Sequence, residues 1–266
     1  MKVKNLVAVA ALALACFPLL AQQPPATQQA PANGPHPKSQ KELEALQKVQ
    51  AAQQAKDWDG ELAAINSVFE NFADTEFKPQ LYSMAMAAAQ QKNDFVQVTT
   101  WGERAIQADP KNIEARVTLA ESIAQHTREN DLDKADSIKK VNDYANQALT
   151  LLKAADTPPA GLPAEQWPQF KKELTAQAYD SLGLAASLDK KYPEAITQYK
   201  AAVDASPQSP VASARLAKAY VDNKQYDDAI STADKVLAMN EAPPQVKAFA
   251  QQQKDTATKL KTAAPK

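Results

Sequence analysis

From Ser39 onward, apolar residues return every three or four positions, the spacing that puts them on one side of an α-helix. Short polar turns interrupt the pattern, as at Lys56-Asp57-Trp58, and the segment Ser39 to Phe72 reads as one helix pair around that turn. Two longer interruptions follow. HTRENDLDK, His126 to Lys134, separates a predicted helix from Ile113 to Gln125 from another spanning Lys134 to Leu152. TPPAGLP, Thr157 to Pro163, comes before a helix predicted to begin near Glu165. The last segment, Gln245 to about Leu260, groups Val246, Phe249 and Ala250 on one side and puts Lys247, Gln251, Gln252 and Lys254 elsewhere. A helix with one polar face is what closes the end of a helical stack; the alternative is a frayed tail.

The helical segments repeat. Asp189-Lys190-Lys191-Tyr192-Pro193-Glu194-Ala195-Ile196 aligns with Asn223-Lys224-Gln225-Tyr226-Asp227-Asp228-Ala229-Ile230 at a separation of 34 residues. The same offset carries Leu182 onto Leu216, Gly183 onto Ala217 and Ala195 onto Ala229, so both members of a helix pair recur. In the unit 176–209, Tyr179, Leu182 and Gly183 lie on the first helix, Tyr192 at the turn, Ala195, Tyr199 and Ala202 on the second, and Pro207 at its end. Small residues suit close helix crossings, bulky ones fill the spaces between, and proline stops the second helix.

This unit resembles the tetratricopeptide repeat, whose helix-turn-helix period is about 34 residues. The unit 210–243 keeps Leu216, Ala217, Tyr220, Tyr226 and Ala229 but has Ala233 and Val236 in place of Tyr199 and Ala202. The unit 79–112 keeps Tyr82, Phe95, Ala105 and Pro110, and departs from the pattern at Val98 and Gly102. The resemblance implies an all-α, right-handed superhelical solenoid of antiparallel helix pairs, with four or five repeats across residues 39–244 and a capping helix and tail in 245–266. Composition agrees: five glycines in 266 residues, with Ala, Gln, Lys, Leu and Glu abundant, favour helix over sheet.

The first residues carry an address. Lys2 and Lys4 precede an unbroken apolar run from Leu6 to Ala15, and Phe17 to Ala21 reads as a helix break and cleavage site, so residues 1–21 are predicted to be a secretory signal peptide. That run is too short to cross a bilayer, and no later segment is long and apolar enough to do so. Cys16 after Ala13-Leu14-Ala15 supports a second reading, a processing site at which the cysteine becomes a lipid anchor. The expected localisation is therefore periplasmic or extracellular, or lipid-anchored to the envelope. With cleavage after Ala21 the mature chain has no cysteine and no disulfide. Residues 22–38, QQPPATQQAPANGPHPK, have too little apolar bulk to fold and are predicted to form a disordered tether. Losing Lys2 and Lys4 leaves 28 basic against 31 acidic residues, a formal charge of −3. No basic block points to nucleic acid.

Catalytic chemistry is not predicted. His36 lies in the tether and His126 in an insert, and no nucleophile or base can be assembled around them. Glu129, Asp131, Asp133 and Asp136 lack the glycine and the ligand alternation of a calcium loop. The isolated glycines form no phosphate cradle, and no cofactor is expected. Trp58, Trp101 and Trp167 are expected to pack in the core rather than form sugar platforms.

These absences favour a scaffold for a protein or peptide partner. The alternatives are a structural or oligomerisation subunit of an envelope assembly, or an accessory that binds sugars or cell-wall polymer. By the resemblance, the concave face of the first helices includes Gln80, Ser83, Ala87, Val117, Glu121, Asp180, Leu184, Ser187, Ala214 and Lys218. Family members that clamp a C-terminal carboxylate use Lys and Asn four residues apart on this face. Ser83 with Ala87, Val117 with Glu121, Asp180 with Leu184 and Ala214 with Lys218 do not reproduce the clamp. A carboxylate brought to this face is expected to meet Glu121 and Asp180 without a fork of donors to offset its desolvation, so the predicted ligand is a mixed polar and apolar segment bound with weak dependence on salt.

Overall fold

A computed structural model of the chain describes residues 34–159 and 161–263. The leader, Cys16 and most of the predicted tether lie outside the described residues. Eleven helices follow one another: α1 (Gln40–Gln54), α2 (Trp58–Asn71), α3 (Lys78–Gln91), α4 (Phe95–Ala108), α5 (Ile113–His126), α6 (Lys134–Ala154), α7 (Trp167–Leu188), α8 (Tyr192–Ala205), α9 (Pro210–Asp222), α10 (Tyr226–Ala238) and α11 (Pro244–Ala263). There is no strand among the described residues. Two compact units are formed. Residues 34–115, with 158–163, hold α1 to α4; residues 116–157 and 164–263 hold α5, apart from its first three residues, through α11.

Four turns inside helix pairs share one geometry. Lys56, Asn93, Lys190 and Lys224 adopt left-handed backbone, with φ of 55°, 56°, 59° and 61°. The Lys190 N–H donates to the Ser187 carbonyl and the Lys191 N–H to the Ala186 carbonyl. Those two bonds close the end of α7 with a Schellman motif, which satisfies carbonyls that the helix itself leaves open. The same pair of bonds recurs at Lys56 and Asp57, at Asn93 and Asp94, and at Lys224 and Gln225. Each second helix starts two residues after the left-handed one, so the chain reverses in three residues and the pair packs antiparallel. The Asp57 and Asp94 carboxylates then accept from the Gly60 and Gln97 N–H groups, which satisfies orphan donors at the starts of α2 and α4.

The turn between α5 and α6 is built differently. The Thr127 hydroxyl donates to the Ile123 carbonyl, the Arg128 N–H to the Asp131 carboxylate and the Arg128 guanidinium to the Gln125 carbonyl. Side chains stitch this longer loop where a left-handed residue would otherwise close it.

Counting from the left-handed residues gives a common register. Seven positions before them stand Val49, Met86, Gly183 and Ala217; nine positions after them stand Ile65, Gly102, Tyr199 and Ala233; all eight are buried. Two of the pairs match a small residue with a large one, in opposite order: Gly183 with Tyr199 and Met86 with Gly102. A Cβ placed on Gly183 would lie 2.5–2.9 Å from atoms of the Tyr199 ring. Close approach of α7 and α8 therefore requires glycine there. Ala217 and Ala233 are both small, and Val246 and Phe249 of α11 pack against their cluster.

In the N-terminal unit the core gathers Val49, Ile65, Val68, Leu81, Met84 and Trp101, with Trp58 packed half-buried against it. Phe69, Tyr82 and Trp101 form an aromatic cluster with centroids 4.8–6.2 Å apart, and Trp167 of the C-terminal unit is buried. The α11 helix packs on α9 and α10 with Ala250, Gln253 and Ala257 buried. Its Lys254 pairs with Asp234 at 2.7 Å and its Lys261 pairs with Asp227.

Gly34 to Lys38 end the stretch read as a tether, and here they are held. The His36 N–H donates to the Glu76 carboxylate at 3.1 Å, and the Lys38 ammonium reaches both the backbone carbonyl and the carboxylate of Asp74. The Ser39 hydroxyl caps α1 by accepting from the Glu42 N–H, while the Glu42 carboxylate accepts from the Lys38 N–H. This exchange is close to a capping box.

Candidate protein-binding faces

In the N-terminal unit, Gln80, Ser83 and Ala87 lie along one side of α3 and are half-buried. The Ser83 hydroxyl donates to the Pro79 carbonyl and accepts from the Asn112 side-chain amide at 2.9 Å. The Gln80 side-chain oxygen is closed to solvent and accepts no hydrogen bond.

In the C-terminal unit, the remaining positions expected on the face separate by burial. Val117 and Ala214 are each only 1% exposed. They are core positions and present no surface to a partner; Ala214 joins Ala217, Ala233 and Val236. The single-residue accuracy needed to tell the outer from the inner edge of a helical stripe exceeds what repeat matching provides. Glu121, Leu184 and Ser187 are partly exposed and Lys218 is exposed. The Lys218 ammonium is paired with Asp222 one turn further along α9, at 2.6 Å. The Ser187 hydroxyl stands 3.5 Å from that of Tyr199, whose ionisation burial pushes well above the usual range.

Asp180 of α7 is paired across to the next repeat. Arg215 of α9 forms a salt bridge with it, and the side chains are 23% and 12% exposed respectively. The 34-residue period carries Asp180 onto Ala214, so Arg215 is one position past its repeat equivalent. That offset is legible in the sequence, although the direction of the side chain is not. Burial raises the Asp180 carboxyl above its ordinary range while the Arg215 charge opposes the shift. Glu121 of α5 is raised by burial first and by the Asp180 charge second, with Arg215 and a hydrogen bond from the Gln125 amide acting against this. Three successive first helices, α5, α7 and α9, thus contribute to one charged group.

The rest of the inventory is structural. Among the described residues no group of three or more histidine, cysteine, aspartate or glutamate side chains could hold a metal. Asp131 closes its own turn and Glu129 pairs with Lys190. Trp101 and Trp167 are buried, which removes two of the three platforms a sugar-binding reading would need.

Residues 186–252 match the sequence model of the tetratricopeptide repeat family. A search of curated protein sequences finds no significant match. Among solved structures, the chain is similar to a thermophilic tetratricopeptide-repeat protein of Thermus thermophilus, with a TM-score of 0.54, 12% identity and coverage of 80% of this chain and 98% of that one. It is similar to PilW, described as a widely conserved type IV pilus biogenesis factor, at a TM-score of 0.55 and 14% identity over 85% of this chain and 92% of the other. YrrB, described as a tetratricopeptide-repeat protein with an unusual peptide-binding site, gives a TM-score of 0.55 and 14% identity over 80% and 94%. At these identities the structures share a fold and no more is inferred from them. Residues 186–252 thus carry the tetratricopeptide-repeat sequence, within a helical fold similar to that of solved tetratricopeptide-repeat proteins.

Proposed function

We propose that the chain is an exported scaffold that holds a partner protein or peptide on the exposed side of its first helices. Stacked helix pairs place the first helices of neighbouring repeats side by side, so one segment can touch several of them, a common use of solenoid surfaces. The observation that carries this reading is the placement of Glu121, Leu184, Arg215 and Lys218, at least partly exposed, on α5, α7 and α9. Apolar and polar contacts alternate there, which suits a mixed segment better than a purely ionic one. YrrB's description as a peptide binder accords with this use of the fold. Export rests on Lys2, Lys4 and the apolar run from Leu6 to Ala15.

The test is retention of a partner from envelope extracts on the immobilised protein, compared with a Leu184→Asp variant. A charge at this partly exposed position disrupts an apolar contact without opening a cavity in the core. The variant is expected to keep the thermal midpoint and lose the partner. Equal retention of the same proteins by both forms would remove this face from consideration.

A further inference from the structure

The C-terminal unit gathers two carboxylates and one guanidinium from three successive first helices. Arg215 is committed to Asp180 through one carboxylate oxygen; the other, Asp180 Oδ1, is buried and accepts no hydrogen bond. Glu121 lies close enough to both to feel the repulsion of Asp180 and the attraction of Arg215. Its one hydrogen bond comes from the neutral Gln125 amide, 2.8 Å away. The nearest lysine on α9 that could neutralise it, Lys218, is held by Asp222. With every carboxylate ionised, the group is one positive charge short. The missing charge belongs beside Glu121, the more exposed of the two carboxylates.

We propose that Glu121 is the recognition point for a basic side chain, lysine or arginine, of the bound segment, with the Asp180–Arg215 pair as the fixed charged floor beside it. This rests on the reading that the α5, α7 and α9 face binds a protein segment, and adds the chemistry of one contact. A carboxylate already largely removed from water gains more from a charge-assisted hydrogen bond than an exposed one does. The cation also stabilises the ionised form of Glu121, which its surroundings disfavour. Binding should therefore release a proton and strengthen as pH rises. An anionic segment would add repulsion from Glu121 and would have to draw Arg215 away from Asp180, leaving a buried carboxylate unpaired.

The experiment uses the full chain and a library of randomised 12-residue peptides selected on the wild-type protein at pH 7.5. Selected peptides are resynthesised with the basic residue replaced by norleucine, which keeps the stem and removes the charge. Lysine or arginine should be enriched at one position, and the norleucine form should bind about tenfold more weakly. Glu121→Gln should abolish that difference while retaining affinity for the norleucine peptide, which also shows that the variant is folded. In the wild-type protein, the preference for lysine over norleucine should shrink as pH is lowered and Glu121 takes up its proton. Peptide binding without enrichment of basic residues, or a preference that survives Glu121→Gln, overturns the inference and leaves the scaffold reading standing. No peptide binding at all overturns both.

Discussion

Glu61 shows how one residue can work against its own repeat. Five positions after each left-handed turn residue come Glu61, Val98, Ala195 and Ala229, all buried. The first pair therefore puts a carboxyl where the others place an apolar group. Glu61 is 1% exposed, and its Oε2 accepts no hydrogen bond. Burial raises the carboxyl from 4.5 to about 7. Below pH 4.5 it is protonated in the folded and unfolded chains, and stability is unaffected. As pH rises from there to about 7, the unfolded chain ionises first and unfolding is favoured. The loss levels off above pH 7, at up to about 3 kcal/mol. Urea titrations from pH 5 to pH 8 should show stability falling with pH in the wild-type protein, and Glu61→Gln should flatten that fall. Glu114, Glu121 and Asp180 are also raised by burial, so part of the slope will remain. If Glu61→Gln keeps the full slope, the carboxyl is not its source.

At the scale of the element, the four Schellman turns and the close approach at Gly183 make predictions of opposite sign. Lys224 is exposed and adopts φ 61°, a left-handed conformation that costs a side-chain-bearing residue about 1 kcal/mol or more. Lys224→Gly should raise stability by about 0.5–1 kcal/mol, after allowing for the greater freedom of glycine in the unfolded chain. Lys224→Val should lower it, because a β-branched residue tolerates that backbone least. Gly183→Leu should lower stability by about 1–3 kcal/mol through overpacking against Tyr199. Thermal midpoints of the three variants check all three signs. An unchanged midpoint in Gly183→Leu would mean that α7 and α8 do not cross closely at this point.

The same elements show what can be read from sequence. The match between 189–196 and 223–230 is legible because both turns use a lysine in one register, followed two residues later by a tyrosine. In the 79–112 unit the larger residue of the pair, Met86, is on the first helix and the smaller, Gly102, on the second, which breaks the residue pattern although both are buried. A sequence motif records identity at a position, whereas packing can place the bulk on either helix or take it from a third, as α11 does at Ala217 and Ala233. Arg215 escapes the repeat comparison for a related reason: it falls one residue outside the period, and a long side chain covers that distance easily. Val117 and Ala214 are misplaced by the sequence because helical periodicity locates a stripe without saying how far the neighbouring helices cover its edges.

For the whole molecule, function depends on where the stack of repeats is delivered. No helix among the described residues is long and apolar enough to cross a membrane. The leader predicted from the sequence would offer two cuts with different physical outcomes. Cleavage after Ala21 removes Cys16 and releases the chain from the membrane. Processing at Cys16 instead leaves a lipidated residue at the new terminus, where burial of each acyl methylene contributes about 0.8 kcal/mol of membrane affinity. The alanine at position 13, where lipid-processing sites usually carry leucine, favours the first outcome. Expressed in a bacterial host, Cys16→Ser should therefore be processed to the same mature mass as the wild-type chain and appear in the same soluble envelope fraction. Mass spectrometry of the mature N-terminus, combined with fractionation, checks both. An unprocessed Cys16→Ser precursor, together with loss of an acylated wild-type form from the membrane fraction, would establish the lipid anchor.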